Sequence, residues 1–130
     1  MGIAERLKVL IVDDQVTSRL MLADALERMG FKSINVAKDG QDALTLLASQ
    51  PHHLIISDFN MPRMDGIELL KAVRADATLK KAAFIILTAR TDRALLEQAQ
   101  VHGANNIMSK PFTDEKMKAT IEAVFGVLEL

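Results

Sequence analysis

Short apolar runs alternate along the chain with longer stretches in which apolar residues recur every three or four positions. The runs 7–12, 33–37, 54–57, 84–87 and 107–108 are rich in Val, Ile and Leu. That composition suits strands buried on both faces. Between them the helical period predicts five helices. Residues 16–29 place Leu22, Leu26 and Met29 on one face, and Gly30 is suited to end that helix in the left-handed region. Asp39 caps a helix running to about Ser49, with Ala43, Leu44 and Leu47 inward and Pro51 beyond its end. A loop over 60–66, marked by Pro62 and Asp65-Gly66, precedes a third helix over 67–75. Residues 92–102 form a fourth, closed by Gly103. Thr113 caps the last, with Met117, Ile121, Val124, Phe125 and Leu128 as its core stripe.

Five consecutive strand–helix units imply the α/β class. The expected architecture is one parallel sheet with right-handed crossovers and helices on both faces. No linker, repeat or low-complexity segment interrupts the pattern, so residues 1–130 read as a single domain.

A polar group follows each of four runs: Asp13-Asp14 after Val9–Val12, Asp58 after Leu54–Ser57, Thr88 after Phe84–Leu87 and Lys110 after Ile107–Ser109. If the runs are parallel neighbours, all four emerge at the carboxyl edge of one sheet, where open α/β sheets bind ligands. One Asp or Thr at a strand end is ordinarily a cap or turn former. Four of them, each at the same end of its own strand, exceed what capping explains. Three carboxylates, a hydroxyl and an ammonium would then share one crevice, which suits a divalent cation and a phosphoryl group. Asp58 is the expected nucleophile, since a carboxylate can form an acyl phosphate. Asp13 and Asp14 are the expected Mg²⁺ ligands, with the Asn60 backbone carbonyl as a further oxygen. Lys110 supplies a fixed positive charge and Thr88 one donor. Lys110 should lie within about 8 Å of Asp58, the range of strong Coulomb coupling.

Bulk properties narrow the partners. Net charge is -1 and no basic stripe with aromatic neighbours exists, so nucleic acid is not expected. The longest apolar run is about six residues, far short of the roughly 20 that span a bilayer. No signal-peptide pattern opens the chain, so cytoplasmic residence is expected; a monomer is expected as well. The absence of cysteine excludes disulfides, thiolate metal sites and thiol catalysis.

Four segments carry a resemblance. Val9-Leu10-Ile11-Val12-Asp13-Asp14, Ser57-Asp58-Phe59-Asn60-Met61-Pro62-Arg63-Met64-Asp65-Gly66, Leu87-Thr88-Ala89 and Ser109-Lys110-Pro111-Phe112 resemble the receiver domain of two-component response regulators. Over nearly its whole length the chain is similar to stand-alone chemotaxis receivers of the CheY kind, the alpha-proteobacterial type in particular. The resemblance implies a flavodoxin-like sheet of order 2-1-3-4-5. It implies phosphotransfer from a chemotaxis histidine kinase to Asp58, with Mg²⁺ held by Asp13, Asp14, Asp58 and the Asn60 carbonyl. Thr88 and Lys110 would bind the phosphoryl group, and Lys110-Pro111 would be cis. Flagellar motor switch protein and phosphatase are further partners it implies.

One position departs from that pattern. Receivers commonly carry Tyr or Phe three residues before the lysine; here Ile107 stands there, and the chain has no Tyr or Trp. A muted response to phosphorylation and a phosphate-sink role are expected, with direct motor control as the alternative. Arg90, two residues past Thr88, is expected near the site mouth, as a contact to phosphate or partner or as a solvated loop residue. A haloacid-dehalogenase-like phosphatase is the less favoured alternative: Asn60 stands where the second Asp of its D-x-D motif belongs, so poor turnover is expected. A flavin-binding module would need more aromatics than five Phe. His52 and His53 are expected in a surface loop and His102 at a helix C-terminus, none of them as metal ligands. Gly40 and Gly66 are turn and helix-start glycines, outside any phosphate-loop pattern.

Overall fold

A computed structural model describes residues 2–90, 92–126 and 128. Five strands and five helices alternate: β1 (Lys8–Val12), α1 (Val16–Arg28), β2 (Ser33–Ala37), α2 (Gly40–Ser49), β3 (Leu54–Asp58), α3 (Gly66–Ala75), β4 (Ala83–Thr88), α4 (Arg93–Val101), β5 (Asn106–Ser109) and α5 (Asp114–Phe125). A short 3₁₀ turn, Ile3–Glu5, precedes β1 and buries Ala4. The strands form one parallel sheet of order β2-β1-β3-β4-β5, as the sequence led one to expect.

The two-residue period of the strands divides the core. Val9 and Ile11 of β1, Leu54 and Ile56 of β3, and Ile85 and Leu87 of β4 pack with α1 and α5. Leu10, Val12, Ile55, Phe84 and Ile86 point the other way, onto α2, α3 and α4. Both faces are covered, which is why these strands are continuously apolar. Within the helices, Leu22, Leu26, Ala43, Leu47, Met117 and Ile121 are buried as expected, while Leu44, Val124 and Phe125 are half-buried; Met29 and Leu128 are buried too but lie just past the ends of α1 and α5, so Leu128 is not part of the helical stripe.

The helix starts follow local chemistry. Asp39, Asp65, Asp92 and Thr113 each accept a backbone N–H of their helix's first turn. Asp65 and Glu68 complete a reciprocal capping box. Gly66 is required by space: a Cβ there would lie 2.8 Å from the Asp58 carbonyl oxygen and 2.9 Å from the Phe59 Cα. α3 therefore starts against the end of β3. Gly30 closes α1 at φ +101, a conformation open to glycine.

Two expectations need correction. β3, β4 and β5 run one or two residues beyond their apolar cores, because the backbone ladder continues through polar residues: Asp58 pairs with Leu87, and Thr88 with Ser109. His52 is not on a surface loop. It is buried, with Nε2 3.0 Å from Asn35 Nδ2 and Nδ1 2.9 Å from the Gln50 carbonyl.

Candidate functional site

Strand register brings the polar strand ends together. Val12 pairs with Ser57, so the next residues along, Asp13 and Asp58, stand level. Thr88 ends β4, and Lys110 follows Ser109, its partner on β5. Backbone bonds fix this edge past the strands: Asp13 N–H donates to the Ala37 carbonyl at 3.1 Å, Phe59 N–H to Leu87 at 2.9 Å and Lys110 N–H to Thr88 at 2.9 Å. The side chains thus project from a rigid ladder.

Asp13, Asp14 and Asp58 each offer a carboxylate oxygen within 4.8 Å of the others. Asp13 and Asp58 are buried and Asp14 is exposed. The Lys110 ammonium lies 3.0 Å from Asp58 Oδ1 and 3.6 Å from Asp13 Oδ2. Three carboxylates against one ammonium leave a formal charge of −2. Burial pushes the Asp58 carboxyl above its ordinary range; Lys110 pulls it down, and Asp13 and Asp14 push it up again. A cluster of hard oxygen donors with surplus negative charge fits a small divalent cation such as Mg²⁺.

Asp13 is held from three sides. Gln15 N–H donates to Oδ1 at 3.0 Å, the Ser18 hydroxyl to Oδ2 at 2.5 Å, and the Arg19 guanidinium to the Asp13 carbonyl at 2.8 Å. None of the three was anticipated from the sequence. The signal was available for Ser18, which falls in the first turn of α1 and reaches back to the preceding strand end.

A cleft of about 480 Å³ opens over this cluster, lined by Asp14, Asp58, Asn60, Thr88, Arg90 and Lys110 among others. Every residue assigned to the site by its position in the sequence therefore lies in one place, Asp13 beneath and the rest around the cleft. Thr88 is buried; its Oγ1 accepts the Arg90 N–H at 2.9 Å, which leaves its own proton to donate. Arg90 is neither free in solvent nor turned to the carboxylates. Its guanidinium binds Asp92 Oδ2 at 2.6 and 2.9 Å and lies over the Phe59 ring, 5.4 Å from its centroid. The helix-cap N–H of Leu95 and then Arg90 hold the Asp92 carboxyl below its ordinary range. Ile107 is half-buried against the core on the α2, α3 and α4 side. Lys110-Pro111 is cis.

The model of the response regulator receiver domain matches residues 9–122. The chain belongs to this family. The receiver is 64% identical to a probable chemotaxis protein CheY of Rhizobium etli, covering 99% of this chain and 100% of the relative. It is 40% identical to the chemotaxis protein CheY of Pseudomonas aeruginosa, over 92% and 96% of the two chains. Among solved structures, CheY4 of Vibrio cholerae superposes with a TM-score of 0.85 at 35% identity, covering 91% and 98%. A response regulator of Sinorhizobium meliloti, Chey2 in its BeF3-activated Mg²⁺ form, gives 0.74 at 64% identity, covering 99% and 100%. The receiver is CheY-like in sequence and fold. Among the described residues, no helix is long and apolar enough to cross a membrane.

Proposed function

We propose that the receiver is a single-domain phosphoacceptor of chemotaxis signalling, residues 1–130, taking a phosphoryl group onto Asp58 from a histidine kinase. One observation carries this reading: Lys110 lies 3.0 Å from a carboxylate that is buried beside two others at the floor of an open cleft. Asp58 attacks phosphorus through a carboxylate oxygen, the P–N bond of the phosphohistidine breaks, and the imidazole leaves with the electron pair. Lys110 meets the charge on the transferred oxygens and releases part of its hold on Asp58. Thr88 donates its hydroxyl to a phosphoryl oxygen. Asp13, Asp14, Asp58 and the Asn60 carbonyl are the residues that would hold Mg²⁺, which when bound offsets negative charge on the phosphoryl group. The protein works in the cytoplasm as a monomer that catalyses its own phosphorylation and dephosphorylation, and nucleic acid and membrane are not among its partners.

The downstream role follows from Ile107. This residue has no ring to exchange between buried and exposed states, and a β-branched side chain is stiff at χ1. The receiver therefore acts chiefly as a phosphate sink, accepting phosphate from the kinase and losing it as inorganic phosphate. Exposed Leu96 and Val101 on α4 favour a second reading, an effector surface for a flagellar motor switch protein. Titrating such a target against unmodified and beryllofluoride-treated receiver separates the two. A gain below about 10-fold, or about 1.4 kcal/mol of coupling, supports the sink, and a much larger gain supports motor control. Acetyl phosphate with Mg²⁺ should add one phosphoryl group by intact mass, and uptake that proceeds equally without metal would refute the site.

A further inference from the structure

The loop between β3 and α3 carries Asn60 and forms a wall between two clefts. Pro62 lines both: the cleft over the carboxylates and a cleft of about 580 Å³ beside α2. At its tip the chain makes an uncommon turn. Met64 N–H donates to the Pro62 carbonyl at 2.7 Å, and Arg63 between them sits at φ 68. A three-residue turn with positive φ at its centre is rare and strained for a residue with a Cβ. Among the described residues, Arg63 is the only non-glycine with positive φ. Its guanidinium reaches out of the loop to Asp39 Oδ2 at 3.2 Å. Asp39 is buried and anchored, because its other oxygen caps α2 by accepting the Asp42 N–H at 2.8 Å.

We propose that the Arg63–Asp39 pair is a positioning device that holds the β3–α3 loop so that the Asn60 carbonyl is presented to the metal. The pair rests on the metal assignment made above and deepens it. Strain at Arg63 persists because something outside the turn holds it, and the only ion pair Arg63 makes among the described residues ties it to the N-cap of α2. Asp39 and Arg63 touch none of the three carboxylates, so their effect on the metal must pass through the loop. Without the pair the loop relaxes, and metal binding must order it again at a cost in affinity.

The test is calorimetric titration of MgCl₂ into wild type, Arg63→Met, Asp39→Asn and the double variant, with urea unfolding of each without metal. Methionine keeps the Cβ and the reach of the side chain without its charge, and asparagine still caps a helix; an ion pair with its guanidinium exposed is worth about 1 kcal/mol or less, so both singles are expected to fold near wild-type stability. Each single should weaken Mg²⁺ by roughly 3- to 10-fold, below the 10- to 100-fold typical of groups that contact a ligand directly. The double should be no weaker than the poorer single, since both remove one interaction. Long-range charge alone predicts the reverse for one of them: losing a cation tightens Mg²⁺ and losing an anion weakens it. Opposite directions, unchanged affinities or fully additive losses overturn the proposal. Should Asp39→Asn fail to fold, Arg63→Met decides by itself, because positioning predicts weaker binding and bare charge predicts tighter. Asp14→Ala separates this proposal from the site it depends on: a wild type that binds no Mg²⁺, or an Asp14→Ala that binds it as well, refutes the metal site and this inference with it.

Discussion

At the amino edge of the sheet, the Arg74 guanidinium donates to the carbonyls of Lys80, Ala82 and Gly103 and to Asn105 Oδ1, all within 3.1 Å. Asn105 Oδ1 also accepts the Phe84 N–H, and His53 Nδ1 accepts the Lys8 N–H. At the carboxyl edge, Asp13, Asp14 and Asp58 crowd together, and Lys110 forms ion pairs with Asp13 and Asp58. The first edge satisfies a half-buried charge with neutral carbonyls and joins α3 to two loops. The second leaves like charges facing one another over a cleft. Such an arrangement costs stability unless a ligand offsets it, and it marks the edge given over to chemistry.

The sharpest way to break this contrast is Asp58→Asn. The nucleophilic oxygen is lost while shape is kept, so phosphate uptake from small donors should fall to background. Without Mg²⁺ the same change should raise unfolding stability, on the order of 1 kcal/mol, because it removes one of three mutually repelling charges from a buried position. Mg²⁺ should then stabilise the variant less than wild type in urea titrations. A variant that takes up phosphate at the wild-type rate has its acceptor elsewhere. One that is markedly less stable without metal shows that the carboxyl edge is held together by its charges.

Arg74→Met should do the opposite at the other edge. Several acceptors lose a charged donor at once, and unfolding stability should drop by roughly 2 kcal/mol. Mg²⁺ affinity and phosphate uptake should hold at wild-type levels, since Arg74 lies in the last turn of α3, at the end away from the cleft. If uptake falls as far as stability, the two edges are not independent and the comparison fails.

The sequence shows the carboxyl edge far better than the amino edge, and the reason is physical. Asp13, Asp58, Thr88 and Lys110 each end an apolar run, so parallel pairing alone brings them together. The fold was legible for the same reason, since alternation within β1, β3 and β4 fixes which residues meet which helices. The bonds that hold Asp13, by contrast, come from residues with no periodic mark. Ser18 and Arg19 look like ordinary helix positions until α1 is docked. Arg74 reads as a basic residue in the last turn of a helix, where a cation is expected for dipole reasons. Its contacts to the loop before β4 and to the loop before β5 depend on tertiary packing. Arg90 was placed correctly near the cleft, but its attachment to Asp92 and Phe59 depends on a side-chain direction that spacing does not give. His52 was misplaced because a Pro-His-His segment looks polar, whereas Asn35 on β2 reaches over to receive it.

The smallest expected effect is a difference in pH dependence between the edges. Burial lowers the His52 pKa below its ordinary value, ahead of the opposing Gln50 carbonyl. A neutral ring fits its surroundings, with the Nδ1 proton donated to Gln50 and Nε2 accepting from Asn35. The unfolded chain therefore binds a proton at His52 more readily than the folded one. Stability from this group is complete above about pH 6.5 and is lost as pH falls toward the depressed folded value. Asp58 has the opposite sign: its raised pKa means the folded protein takes up the proton first, so acidification through that range adds stability. In metal-free protein, urea unfolding followed as pH is lowered should show a decline that His52→Gln removes, and then a gain that Asp58→Asn removes. Both variants should match their parent slopes above pH 7, apart from the constant offset of Asp58→Asn. If His52→Gln leaves the decline unchanged, protonation at the amino edge is absorbed by a flip of the Asn35 amide, and that edge is adaptable where it was taken to be saturated.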